Sequence, residues 1–467
     1  VTAETRPAFA RVLGRGDLFL FTVSAVLTID SLASAASMGQ AWFAWWAIVV
    51  AAFFVPYGLI TAELGAAWPG EGGLYVWVRE AFGARWGGMA AWLYWINVAY
   101  WMPSIFVVFA STFFAIFLPG RPASAGLEAA LALLLTWLSV WIGVIRLSVS
   151  KWIPNLGGVV KLAIFAALGG LGLAALLSGR PAANPLSWAG FAPRLSDSLA
   201  FLPVLLYNAL GFELMSGAGD EMRDPQRDVP RTILLAGALI GATYALGVFG
   251  ILWAVPLERL SLVTGTWDAL ALLGRAWGTA GDAAVLLLGV GFLYACVANV
   301  VTYALGANRV LAQAAEEGAL PRSLGRLHPR HRTPYVAFLW TGIVGSVLLA
   351  GNALVGAGSS NVFWMLFKLA GLCFLFCYLM LFPAFARLRV AQPERPRPYR
   401  LPGGEPLARA AAALCWLFVA VACVLFFRPS PDADAARALR ETWLLAGECL
   451  ATLLAGLWLA SRARRTT

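Results

Sequence analysis

Two carboxylates stand in apolar runs where a chain that merely crosses a membrane would carry none. Asp30 lies in TVSAVLTIDSLASAASMG and Glu213 in LLYNALGFELMSGAGDEMRDPQRDVPR. A charge at mid-bilayer costs about 2.5–3.5 kcal/mol even on the lenient insertion scale. Three chemistries can justify that cost. The carboxylate can bind a cationic group through a charge-assisted hydrogen bond. It can exchange a proton with a buried basic partner, for which burial and a neighbouring charge are the levers. It can cap a broken helix end, worth about 0.3–1 kcal/mol. Glu213 is surrounded by Gly211, Gly217 and Gly219, and each glycine loosens a helix by about 1 kcal/mol relative to alanine. Asp30 is surrounded by Ser24, Ser31, Ser34 and Ser37, small residues that also suit close helix packing. Lys161 and Lys368 are basic counterparts inside apolar runs. The bland alternative for Lys161 is a lysine snorkelling to a nearby membrane face. No P-loop and no nucleophile–base constellation occurs, so the expectation is neither an ATP-driven pump nor an enzyme, and no cofactor is expected.

The elements that must position these charges are membrane helices. Of the 467 residues, 60% are hydrophobic and 12% charged, against about 25% charged in a soluble domain. Many runs reach the roughly 20 residues that cross a bilayer, and they are too apolar for an outer-membrane barrel. The reading is an all-α polytopic membrane protein of twelve spans: 17–39, 45–68, 87–118, 126–145, 154–177, the run from Leu205, 232–255, 282–304, 335–351, 362–387, 407–427 and 443–460. The stretch VTAETRPAFARVLGRG ahead of span 1 has no cleavable-signal character. The stretch LYVWVREAFGARW after span 2 reads as an amphipathic interfacial segment, residues 256–280 hold no long apolar run, and span 8 is expected to continue as a helix through ANRVLAQAAEEG. The net charge of +10 is no nucleic-acid footprint, because most Lys and Arg fall in loops on one side. That asymmetry puts both termini in the cytoplasm of an inner or plasma membrane. The six cysteines, all in apolar runs, read as small core residues. His328 and His331 sit in a basic loop and make no metal site.

The organisation is a doubled one. After a cytoplasmic N-terminus (1–16), residues 17–178 (spans 1–5) and 179–387 (spans 6–10) follow one plan. Each half opens with an interrupted span bearing a carboxylate and closes with a span bearing a lysine. Five spans is an odd number, so the second half is inverted, the pattern that points to a midplane site between broken helices. A cytoplasmic linker (388–406) precedes spans 11 and 12 (407–467), which are expected to lack intramembrane charge and to act as scaffold.

Three stretches carry a family resemblance. GLITAELGAAWPGEGGLYVWVREAFGARWG, GFELMSGAGDEMRDPQRDVPR and LGANRVLAQAAEEGALPRSLGRLHPRHRTP resemble signatures of the amino acid–polyamine–organocation superfamily, in particular its glutamate:GABA antiporter-like branch. The resemblance implies a leucine-transporter-type five-plus-five fold with spans 1 and 6 broken at 29–34 and 211–217. It implies secondary transport of an amino acid or amine. It also implies that Lys161 takes the place of a sodium ion beside the span 1 break. Members often have a Gly-Ser-Gly-like turn in span 1 that holds a substrate carboxylate. Here Ile29-Asp30-Ser31 stands in its place, and an ionised Asp30 would repel such a group.

The expected function is therefore secondary transport, leaning to a substrate with a cationic amine near Asp30, by exchange or with protons. A neutral or acidic amino acid antiporter is the first alternative, and a receptor or channel on the same fold is the second. Partners are a small-molecule substrate and lipid, with protons as a further candidate and the oligomeric state open. Candidate substrate contacts are Ile29, Asp30, Ser31, Ser34, Asn97, Tyr100, Trp101, Tyr207, Asn208, Gly211, Phe212, Glu213, Tyr294 and Asn299, with Tyr94 as another aromatic. A cation–π contact favours a desolvated cation by up to about 2 kcal/mol, whereas ordinary helix packing would explain the same aromatics. Buried amides must bond to something, a substrate or another helix. Lys161 and Asp30 are the coupling candidates, and Trp364 and Lys368 the gate candidates. Among Glu63, Glu71, Arg79, Asp220, Glu221, Arg223, Asp224 and Arg227, one or two ion pairs are expected to latch the inner face.

Overall fold

The computed structural model describes residues 15–69, 72–120, 123–145, 152–193, 200–216, 225–354, 358–429 and 435–463. Among these residues every regular element is helical. Nine helices are long and apolar enough to cross a membrane, and a shorter apolar one covers Tyr335–Gly351. The chain is a multi-pass helical membrane protein.

Span 1 is two helices, α1 (Arg15–Val26) and α2 (Leu32–Ala36), with residues 27–31 unwound between them. The cause is local. Thr28 and Ile29 are β-branched, and Asp30 and Ser31 compete for backbone hydrogen bonds. Span 2 is a continuous rod of α3 (Ala41–Val49), a π turn (Val50–Phe54) and α4 (Val55–Ala67). Pro56 lacks the N–H that would extend the regular ladder, and a single wide turn is how helices absorb such a fault. The amphipathic segment is α5 (Leu74–Phe82). Its apolar residues Leu74, Tyr75, Trp77 and Val78 are buried inside the protein, so it does not float at the interface.

Next come α6 (Ala84–Phe117), α7 (Ala125–Val144) and α8 (Trp152–Leu177). Span 6 repeats the interruption as α9 (Leu202–Asn208) and α10 (Glu213–Ser216). The chain continues with α11 (Pro225–Ala254), α12 (Gly265–Arg275), α13 (Gly278–Glu316), α14 (Tyr335–Leu354), α15 (Ser359–Ala391), α16 (Gly404–Phe426) and α17 (Ala435–Ala463). Span 8 does run on as one helix: the 39 residues of α13 are about 58 Å long at 1.5 Å per residue, well beyond the bilayer core. Residues 256–280 hold the 11-residue amphipathic α12, which buries Trp267 and Leu270.

Two boundaries move. The span 6 break covers residues 209–212, ending before Gly217, which lies with Gly219 outside the described residues. The span 1 break ends at Ser31, so Ser34 is helical. The expectation that spans 11 and 12 carry no intramembrane charge is also corrected, since half-buried Glu448 lies midway along α17.

α6 and α15 are the most enclosed spans, with 67% and 72% of their apolar windows buried. At the end of the bundle that holds the α15–α16 linker, a charged strap closes the fold. Glu63, on the last turns of α4, takes Arg389 of α15 in a two-point contact of 2.9 and 3.0 Å. It also accepts the Leu401 amide at 2.8 Å and has Arg397 3.4 Å away. Arg389 reaches on to Glu405 at 3.1 Å, and Arg395 and Arg397 lie over the Trp68 ring. Of the latch candidates, Glu63 is thus engaged, and Arg79 pairs with Glu317, just past the end of α13, and with Glu80. Arg227 is exposed. Glu71, Asp220, Glu221, Arg223 and Asp224 lie outside the described residues.

Glu63 and Arg389 are 1% and 2% exposed. Removing one partner of such a pair strands the other charge and costs about 3–5 kcal/mol. Glu63→Gln should therefore lower unfolding free energy in detergent by that amount. Arg409→Ala, breaking the exposed Arg409–Glu405 pair, should stay within about 0.5 kcal/mol.

Candidate functional site

The two breaks meet. Asn208, the last residue of α9, accepts hydrogen bonds from Ser31 Oγ at 2.6 Å and Thr28 Oγ1 at 3.0 Å in the span 1 break. Each break is also held by a tyrosine from the rod that follows the other. Tyr244 of α11 accepts from the Thr28 amide at 2.8 Å and donates towards Val26 O at 3.1 Å. Tyr57 of α4 accepts from the Gly211 and Phe212 amides at 3.2 and 3.0 Å and donates to Glu213 Oε2. Backbone groups freed at membrane depth must find such partners. Gly211 has φ +118, and a Cβ there would sit 2.8 Å from Tyr303 Oη. Both the backbone and the neighbour therefore demand glycine.

One face of α6 then meets both carboxylates. Tyr94 Oη donates to Glu213 Oε1 at 2.9 Å, and Trp101 Nε1 donates to Asp30 Oδ2 at 2.9 Å. Asn97 lies between them. The spacing 94, 97, 101 keeps all three on one helical face and covers about 10 Å. The two acids differ in saturation. Both Glu213 oxygens are taken by phenols, with Tyr378 stacked edge-on against Tyr57. Asp30 Oδ1 has no partner, and neither has Asn97 Oδ1 or Ser34 Oγ, although all are buried. Ile29, Asp30, Asn208 and Glu213 are all buried, so this junction is shut from water here.

The structure separates the remaining candidates. Lys161 donates to Ser24 O at 2.5 Å and Asn299 Oδ1 at 2.7 Å. It tethers α1 to α8 and α13, and the two coupling candidates, Lys161 and Asp30, form no direct ion pair. Asn299 Nδ2 is left without a partner. Tyr207 and Phe212 are ring contacts: Tyr207 against Phe367 and Phe374, Phe212 against Phe54 and Tyr57. Three candidates are spent elsewhere. Tyr100 bonds Thr452 Oγ1 of α17 at 2.7 Å. Tyr294 donates to Ile153 O at 3.1 Å. Lys368 donates to Arg428 O at 2.6 Å beyond the end of α16, beside the Trp364 ring. Trp364 stacks on Phe367. A cavity of about 790 Å³ lies elsewhere, lined by Glu128, Trp267, Asp268 and Ser359.

Sequence reading missed Tyr57, Tyr244 and Thr28. Nothing in VPYGLITAE or GATYALG sets those tyrosines apart from packing aromatics. Only the crossing of the rods brings each to a break distant in the chain.

The family profile described as amino acid permease matches residues 13–451. The chain belongs to the amino acid permease family. It is accordingly a transporter of the amino acid–polyamine–organocation superfamily and not an enzyme. A protein of Lactococcus lactis named probable agmatine/putrescine antiporter AguD is 33% identical over 406 residues, 87% of this chain and 85% of that one. A probable polyamine transporter of Arabidopsis thaliana is 28% identical over 363 residues, 75% of this chain and 66% of that one. The fold matches that of a manganese transporter mutant of Eremococcus coleocola with a TM-score of 0.59 over 97% of this chain and 95% of that chain, at 12% identity.

The tyrosine pins can be tested directly. Tyr57→Phe leaves two amides and a carboxylate oxygen without their partner, at about 1–3 kcal/mol for each buried group. Amide hydrogen exchange across residues 209–216 should speed up at least tenfold, while Tyr100→Phe, away from the breaks, should leave it unchanged.

Proposed function

We propose that this permease carries a small organic cation, an amine protonated on at least one nitrogen, across an inner or plasma membrane by alternating access and exchange. One observation carries the reading: the unpartnered Asp30 oxygen at the meeting of two broken helices, with the unpartnered Asn97 carbonyl on the adjoining face of α6. These are acceptors, and a protonated amine brings donors. The same carboxylate disfavours an α-carboxylate there, which weighs against the neutral or acidic amino acid alternative. The relatives' names, with agmatine, putrescine and polyamine in them, lean the same way.

Twelve spans in two inverted halves, 17–178 and 179–387, account for the architecture best. Nine long helices, one shorter one and two interrupted pairs make up that number, and the reciprocal tyrosine pins are what an inverted pair of halves would produce. The Lys and Arg distribution supports cytoplasmic termini. A second reading concerns coupling. Lys161, holding Ser24 O and Asn299, supplies a positive charge that fastens α1. Loss of its proton would release that half-helix, so Lys161 rather than Asp30 is our proton-coupling residue.

Counterflow in proteoliposomes tests the transport reading. Vesicles preloaded with putrescine should transiently accumulate radiolabelled putrescine. Binding without flux would point to a receptor, and counterflow of glutamate alone would favour the alternative substrate class. Asp30→Asn should weaken amine binding by at least about thirtyfold, or about 2 kcal/mol; unchanged affinity in a folded variant rules the contact out. Lys161→Ala should flatten the pH dependence of uptake while exchange persists, and a wild-type pH profile in that variant dismisses the coupling role.

A further inference from the structure

Between the α3–π–α4 rod and α11 the structure holds an apolar groove of about 400 Å³. It lies within two helices able to cross the membrane, and its rim residues Ala47, Val55, Leu234 and Ala238 are exposed. Its floor is Phe54 and Phe212, stacked 5.0 Å apart. Missing side chains make the hollow. A Cβ on Gly58 or Gly237 would come within 3.4 or 3.2 Å of the Phe212 ring, whereas a Cβ on Gly241 would meet nothing within 4 Å. The π turn forms part of the opposite wall through Val50. Trp46 carries the one polar side-chain atom of the lining, and its Nε1 is already bonded to Gly241 O at 3.0 Å.

That chemistry selects the occupant. Water needs two to four polar partners in a site, and this groove offers no free polar side chain. An amine would lose its hydration for nothing. The groove opens sideways on surface at bilayer depth, where the neighbouring molecules are hydrocarbon chains. We propose that an acyl chain of a membrane phospholipid seats here against Phe212. Phe212 follows the left-handed Gly211 in the span 6 break, its amide is held by Tyr57, and Glu213 is the next residue. A lipid chain thus forms the outer support of the broken helix, at a site separate from Asp30 and independent of which substrate is carried.

Photolabelling tests this without a transport assay. The protein is reconstituted in dioleoylphosphatidylcholine vesicles containing a small fraction of phosphatidylcholine with a diazirine at the end of one acyl chain, then irradiated, digested and mapped. Adducts should concentrate in peptides covering residues 47–58 and 233–245. Gly241→Leu, whose Cβ meets nothing within 4 Å, and Ala238→Trp, which covers the groove from the rim, should each cut that labelling about tenfold, equivalent to about 1.4 kcal/mol. Gly170→Leu, at an exposed α8 position where a Cβ likewise meets nothing within 4 Å, should leave it at the wild-type level. Labelling spread evenly over the lipid-facing sides of α7, α8 and α17, or unchanged in both groove variants, overturns the proposal.

Discussion

Backbone amides and carbonyls freed in the middle of a membrane have no water to turn to, and that constraint governs this structure. Two helices stop halfway. What they leave open is taken up by Tyr244 for the first break and by Tyr57 for the second, and Asn208 ties the breaks together. Each hydroxyl both accepts and donates, so one side chain serves an amide on one side and a carbonyl or carboxylate on the other. The tyrosines come from the rods that follow the opposite breaks, so each interruption is closed by a residue distant in the chain.

Once the breaks are satisfied, the charges can differ in role. Glu213 and Asp30 are both carboxylates beside a helix break, yet phenols occupy both oxygens of one while the other keeps an oxygen free. A saturated carboxylate fastens structure; an unsaturated one at a helix break asks for a donor. The lysines divide in the same way. Lys161 fastens α1, the first half-helix of span 1, and Lys368 is absorbed by the end of α16. This division underlies the amine reading more firmly than the number of charges does.

The surroundings of the breaks are built to different standards. At one end, the Glu63–Arg389 pair and the linker arginines bind α4, α15 and α16 together without relying on lipid. At bilayer depth on the flank, glycines leave a hollow beside Phe212 that only apolar matter can fill. The π turn ahead of Pro56 borders that hollow, and the same rod carries Tyr57. Strap, pin and groove therefore lie along one element, α3 to α4, which joins the Glu63–Arg389 strap to the span 6 break.

The sequence alone determined the membrane-helical class, the approximate spans, the two interruptions and the superfamily, because those follow from hydropathy, helix-breaking residues and short local signatures. It singled out Asp30, Glu213, Trp101, Asn97, Asn208 and Lys161 because polar groups in apolar runs are conspicuous. Tertiary structure decided the rest. Tyr57 and Tyr244 read as packing aromatics, since their partners lie 154 and 216 residues away. Tyr100, Tyr294 and Lys368 read as site residues until their contacts with Thr452, Ile153 and Arg428 were known. A residue's type states what it can bond to. Which bond it makes depends on which helix lies opposite, and that is set only when the helices pack.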